Sequence, residues 1–237
     1  MTTIRLLTAL AACALALSAC KRNDQAFDTR VHDYIVSHPE VIQEAMTKLQ
    51  EKQDAAAAAQ AKVAIDQYRQ ALEHDPRDFV ANPDGKVTVT EFYDYRCPHC
   101  INIAPKVVAL IRTHPDVRFV FKEMPIFGDT SEHAARAALA AKAQGKDYVG
   151  LYDAFMSAHP LTDEEIDRIA ASKGVDIAAM NAPAALAKDK AQMADTANLA
   201  KKLAIDGTPG FVVGEAFIRG EDDDALATAI ATAEHKG

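Results

Sequence analysis

Val87-Thr88-Val89-Thr90-Glu91-Phe92-Tyr93-Asp94-Tyr95-Arg96-Cys97-Pro98-His99-Cys100 is the stretch that decides the fold. The apolar and β-branched run from Val87 to Tyr93 predicts a strand, and Cys97-Pro98-His99-Cys100 predicts a helix start directly after it. Proline is tolerated at the first helical position, where its missing N–H would have no partner anyway. Cys97 therefore falls at the N-cap and Cys100 at the third helical position. At the N-cap the Cys97 sulfur meets unpaired backbone N–H groups and the positive end of the helix dipole, both of which favour thiolate over thiol. This reads as a dithiol that opens and closes.

Three other readings compete. A structural disulfide across so short a loop would remove little entropy from the unfolded chain and stabilise the fold weakly. Paired cysteines at this spacing are also half of a zinc site, but there is no second CxxC and no His-x3-His partner to complete four ligands. Two inert thiols are the third reading, and an oxidising compartment argues against it.

Compartment is read from the first residues. Arg5 supplies a charge, Leu6 to Leu17 is almost wholly apolar, and Ser18-Ala19 are small residues before Cys20, the pattern of an export signal over residues 1–19. The run is too short, and too soon followed by Lys21-Arg22, to be a comfortable membrane span. Leu17-Ser18-Ala19-Cys20 is similar to the lipobox of bacterial lipoproteins, which implies lipid attachment at Cys20; ordinary cleavage after a small residue is the alternative. An unmodified Cys20 would be a third exposed thiol on a protein that exchanges disulfides, and a thioether-linked lipid removes it. Of four cysteines, Cys13 leaves with the signal and Cys20 becomes the anchor, so Cys97 and Cys100 remain. The formal charge of −8 argues against nucleic acid and offers no basic patch for anionic lipid.

Residues 20–77 read as a helical arm. Phe27, Val31, Tyr34 and Ile35 recur at helical spacing, and Ser37-His38-Pro39-Glu40 supplies a break with proline at a new helix start. From Glu40 to about His74 there is neither Gly nor Pro, and Ala55 to Ala59 is a run of the strongest helix former, so one helix of about 50 Å is expected. Its apolar face is clear at Val41, Ile42, Ala45, Met46 and Leu49, thins through the alanines, and returns in shifted register at Ile65, Tyr68 and Leu72. Without a sustained heptad seam this is no coiled coil. It is either an oligomerisation arm over residues 27–74, the reading favoured here, or a spacer standing off the membrane.

Asp75-Pro76 and Asn82-Pro83-Asp84-Gly85 mark the boundary to a second domain, residues 78–237. Lys86 to Tyr93 and Val117 to Glu123 are predicted strands joined by the Cys97 helix, within which Pro105 is expected to kink or bend the chain; such a crossover implies parallel pairing. Residues 131–202 read as helical throughout, with helices opening at Ser131-Glu132, at Asp147 and, through a capping box, at Thr162-Asp163-Glu164-Glu165. Phe211-Val212-Val213, a Gly214-Glu215 turn and Ala216 to Arg219 form a hairpin, and Asp223 to Glu234 a closing helix. The outline is α/β and thioredoxin-like, with an inserted helical domain.

Glu91-Phe92, Cys97-Pro98-His99-Cys100 and Gly207-Thr208-Pro209 together resemble the DsbA-like family of exported thiol–disulfide oxidoreductases, in order and spacing, over residues 78 to 237. The resemblance implies that Pro209 is cis and lies beside the cysteines, turning the Thr208 backbone toward a peptide; a trans proline in a plain turn is the alternative. Thr208 resembles the residue of the dimeric isomerases at this place more than the valine of the best-known oxidase. Glu91 matches a buried acid beneath the dithiol that relays the Cys100 proton. Its own setting agrees, since an acid in a central strand must find a partner or take a raised pKa; an exposed strand-end glutamate is the alternative. His99, when protonated, would stabilise the Cys97 thiolate, or else be a solvated ring of little effect. Lys122 and Glu123 read as surface charges, and His38, His114 and His159, each before a proline at an element boundary, as loop residues without a role.

The expectation is an enzyme that forms or isomerises disulfides, with Cys97 as attacking and Cys100 as resolving sulfur, Pro98, His99 and Glu91 tuning the pair, and Thr208 with Pro209 forming the substrate groove. It needs no cofactor beyond the Cys97–Cys100 disulfide and no metal. Its partners would be unfolded or misoxidised exported proteins, a membrane redox partner and other copies of itself. Its location would be the periplasmic side of the envelope, with the outer membrane favoured over the inner. A lipoprotein that binds copper through the two thiolates, or one whose thioredoxin domain has lost redox function, is the alternative.

Overall fold

A computed structural model describes residues 25–235. They fall into two compact units, one ending at Ala56 and the other running from Ala57. The first unit holds a helix over 25–37, α1, and the beginning of α2, Glu40–Glu73. Its turn is made locally: His38 N–H donates to the Tyr34 carbonyl at 2.9 Å, and the two rings stack at 4.4 Å. Phe27, Tyr34, Met46 and Leu49 are each more than half exposed, at 59, 55, 67 and 56%.

The second unit is built on a five-stranded sheet. In chain order it comprises β1, Phe79–Ala81; β2, Val87–Tyr93; α3, Pro98–Thr113; and β3, Val117–Glu123. An inserted set of helices follows: α4, Asp129–Ala143; α5, Tyr148–Ser157; α6, Asp163–Ser172; α7, Ile177–Met180; and α8, Pro183–Lys202. The chain closes with β4, Gly210–Val213, β5, Ala216–Arg219, and α9, Asp223–Glu234. The sheet order is β1-β3-β2-β4-β5. β2 and β3 are parallel from Val87↔Val117 to Tyr93↔Glu123, as a helical crossover requires. The other three pairings are antiparallel. This is a thioredoxin-like fold with a helical insertion.

Strand side chains alternate between faces, and each face has its own core. Val87, Val89 and Tyr93 of β2, with Phe119 and Phe121 of β3, face α3, α9 and the insertion. Phe92 and Val212 face the other way, onto Ile65 and Leu72 of α2 and Leu199 and Ala200 of α8. The end of α2 thus belongs to the second unit, so the division falls within the helix, at Ala57, and not near residue 77. It is tied there by polar bonds as well: Lys122 pairs with Asp78 and donates to the Ala71 carbonyl at 2.6 Å, and Thr90 Oγ1 donates to the Leu72 carbonyl at 3.4 Å.

Lys122 and Glu123 are corrected by the same alternation. Both are buried, at 2 and 3% exposure, and as neighbours in one strand they point to opposite faces. Two smaller differences concern the elements. The short edge strand β1 escapes a periodicity test, and the insertion begins at Asp129 and is divided again at Asn181-Ala182-Pro183. Pro105 lies inside α3. Thr162 caps α6, its Oγ1 accepting from the Glu165 N–H at 3.2 Å, while the Glu165 carboxylate accepts from Arg168.

Candidate active site

The site lies where β2 ends and α3 begins. Cys97 is the N-cap of α3, in extended backbone at φ −73° and ψ 119°, with Pro98 next. Asp94 shapes the approach. Its buried carboxylate accepts from Arg96 N–H at 2.7 Å, from Ile126 and Phe127 N–H at 2.7 and 3.1 Å, and from Ser131 Oγ at 2.9 Å. One side chain so joins the loop before Cys97 to the loop after β3. Its carbonyl accepts the Cys97 N–H at 3.2 Å.

Both cysteines are free and buried, Cys97 at 2% and Cys100 at 0% exposure. Their proton affinities are pushed apart. Hydrogen bonding from Cys100 lowers the Cys97 pKa to about 5 against the cost of burial, and Thr208 and the backbone N–H groups of Cys100 and His99 act the same way. Cys100 moves up, through burial first, then its bond to Cys97 and the neighbouring charge of Glu91.

Thr208-Pro209 is a cis peptide. The Cys97 thiol donates to the Thr208 carbonyl at 3.1 Å, which brings the 207–209 loop against the attacking sulfur. The Thr208 hydroxyl is buried with no partner among the described residues, so it is free to donate to a thiolate.

Glu91 lies on the same face of β2 as the α3 core, 1% exposed. Burial raises its pKa to about 8, opposed by the Tyr152 hydroxyl, which donates to its two oxygens at 3.1 and 3.4 Å. A second buried acid stands beyond it. Glu123 Oε1 accepts from Tyr93, Tyr148 and Tyr95 at 2.5, 2.7 and 3.3 Å, and burial raises its pKa to about 8 against those three bonds. The Tyr152 ring packs edge-on against Tyr93 at 5.2 Å, so the two acids share an aromatic cage. His99 is on the surface, its Nδ1 3.1 Å from Glu221 Oε1.

The structure therefore brings Glu91, Cys97, Pro98, His99, Cys100, Thr208 and Pro209 together. Cys20 lies outside the described residues. Asp94, Glu123, Tyr152 and Glu221 escape the sequence reading. Tyr148 and Tyr152 carry a signal in retrospect, being four apart in a helix and so on one face, but nothing in the sequence tells that this face meets two acids. Among the described residues, no group of three or more His, Cys, Asp and Glu side chains is placed to hold a metal ion.

The DSBA-like thioredoxin domain matches residues 88–231, and the copper resistance protein ScsC N-terminal domain matches residues 24–56. Among solved structures, a thioredoxin-like oxidoreductase from Silicibacter pomeroyi is 37% identical with a TM-score of 0.64, over 71% of this chain and 98% of that one. ScsC of Proteus mirabilis in a transitional conformation is 26% identical with a TM-score of 0.68, over 91% and 98%. Thiol:disulfide interchange protein DsbA of Bordetella pertussis is 32% identical over 141 residues, 56% of this chain and 66% of its own length. The chain also matches Na(+)/H(+) antiporters, of whose length it spans about a quarter. All seven site residues named above fall inside the matched span from 88 to 231, and the chain belongs to the DSBA-like thioredoxin domain family.

Proposed function

We propose that the protein is an extracytoplasmic thiol–disulfide oxidoreductase acting on exported proteins. The observation that carries this is the asymmetry of the two sulfurs: Cys97 is held as thiolate near neutrality, with a pKa of about 5, while Cys100 is held as thiol. In the reducing direction the Cys97 thiolate attacks one sulfur of a substrate disulfide. A Cys97–substrate bond forms, the substrate S–S bond breaks, and one substrate thiolate leaves. Cys100 then gives up its proton and attacks Cys97, releasing the second substrate thiolate and leaving the Cys97–Cys100 disulfide. The substrate gains the two electrons that the dithiol loses. In the oxidising direction the steps reverse, and Cys100 leaves as a thiolate that must be protonated.

Glu91 suits that second task. With a pKa of about 8 it is mostly protonated at neutral pH, and it is close enough to raise the proton affinity of Cys100. The 207–209 loop beside Cys97 supports a groove in which a substrate strand pairs with the Thr208 backbone. Cys97→Ser should abolish catalysed refolding of a reduced or scrambled disulfide protein, and Cys100→Ser should accumulate a covalent substrate adduct at Cys97. Refolding that survives Cys97→Ser would overturn the assignment.

Isomerisation by an oligomer is the finer reading. Exposed Phe27, Tyr34, Met46 and Leu49 support it, because apolar side chains on α1 and α2 gain burial from other copies of the arm. Replacing Met46 and Leu49 together by Glu in the full chain should lower the solution mass and reduce rescue of scrambled substrate more than oxidation of reduced substrate. Export and attachment through Cys20 belong to the same proposal, and mass spectrometry of protein isolated from membranes tests them.

A further inference from the structure

The turn between β5 and α9 reaches the site from the far half of the sheet. Gly220, at φ +70°, donates its N–H to the Pro209 carbonyl at 2.9 Å, which fixes the next residue beside the start of α3. That residue is Glu221. Its Oε1 lies 3.1 Å from His99 Nδ1, and the Asn102 side chain, one turn along α3, bonds the same carboxylate. Asp222 caps α9 by accepting from the Ala225 N–H at 2.8 Å, so the backbone is held on both sides of Glu221. The other charged groups around the pair are engaged elsewhere: Arg96 Nη1 donates to the Phe127 carbonyl at 2.9 Å, and Lys106 Nζ stands 3.8 Å from Asp223.

We propose that Glu221 is a positioning residue of the exchange site, holding the His99 imidazole at the start of α3 and favouring its cationic form, and thereby setting the stability of the Cys97 thiolate. The inference rests on the reading of Cys97 as the exchange nucleophile. The bond and charge of Glu221 raise the His99 pKa, with a smaller contribution from Cys97, and His99 with Asn102 lowers that of Glu221. The charge of Cys97 acts on His99, whereas the charge that acts on Glu221 is that of His99, so from the standpoint of Cys97 the pair acts through its cation.

Glu221→Gln separates the two charges by pH. Near pH 5, where His99 is cationic with or without its partner, removing the carboxylate leaves an unopposed cation and lowers the apparent Cys97 pKa. Near pH 7.5 an unpartnered imidazole is mostly neutral, so the same substitution removes the cation and makes the dithiol harder to form. Thiolate absorbance at 240 nm reads the first effect and equilibration with glutathione the second, each expected at about twofold to fivefold, the range of an exposed ion pair. In a His99→Gln background, Glu221→Gln should stabilise the thiolate at both pH values. Shifts of opposite sign in the single variant, lost in the His99→Gln background, support the proposal. A shift of one sign at both pH values, or none, overturns it. Oxidation of reduced substrate and turnover of scrambled substrate by the unmodified protein are measured alongside. The absence of both would overturn the exchange reading, whereas the Cys97 titration reads the Glu221–His99 pair by itself.

Discussion

At the scale of single residues, the site works by burying groups whose charged forms need help and rationing that help. Thr208 is the simplest case. Its hydroxyl is buried with no partner among the described residues and favours the Cys97 thiolate, so Thr208→Val should raise the Cys97 pKa by about one unit, the worth of a hydrogen bond to a charged group. Titration at 240 nm checks this, and an unchanged pKa of about 5 would remove Thr208 from the account. Glu91→Gln takes away the proton held beneath Cys100. Opening of the Cys97–Cys100 disulfide by a substrate thiolate should slow on the order of 10²-fold and lose the part of its pH dependence that centres near pH 8. The chain has no tryptophan, so the rate has to be followed by acid quench and separation of the mixed disulfide.

At the scale of elements, the sequence was most legible where chemistry and backbone geometry coincide. Pro98 cannot supply an N–H, so its place at the helix start, and Cys97 at the N-cap, follow from local rules alone. Thr162, by its spacing to Glu165, announces its helix in the same way. Lys122 and Glu123 were not legible, because whether a charged residue at a strand end is exposed depends on what the other elements bring to it: Asp78 on one face and three tyrosines on the other. The end of α2 carries the same lesson. Its apolar residues Ile65 and Leu72 return in shifted register because they answer to β2, β4 and α8, which lie far along the chain. Leu72→Ala should therefore destabilise the catalytic unit by about 2–5 kcal/mol, read as a lower urea midpoint. A chain begun at residue 78 should lose stability further, since it lacks both side chains.

At the scale of the whole molecule, Glu91 and Glu123 couple stability to pH. Each pKa is raised to about 8 in the fold from an ordinary 4.5. Between those values the unfolded chain releases protons that the folded chain keeps, so their contribution is fully present below about pH 4.5 and declines as pH rises through 8, by about 1.4 kcal/mol per pH unit for each group. Urea midpoints measured across that window should fall with pH. The double variant Glu91→Gln, Glu123→Gln should flatten the fall, and an unaltered slope would mean that the two acids ionise normally in the fold.

The opposite facing of Lys122 and Glu123 limits how the gene encoding this chain can change length. One codon gained or lost within β3 would turn the lysine into the tyrosine cage and the glutamate onto Asp78, placing like charges together and leaving both cages mismatched. Every residue of the strand but Arg118 is buried, so length variation among descendants of this sequence should gather outside residues 117–123, in turns such as that at Gly214-Glu215.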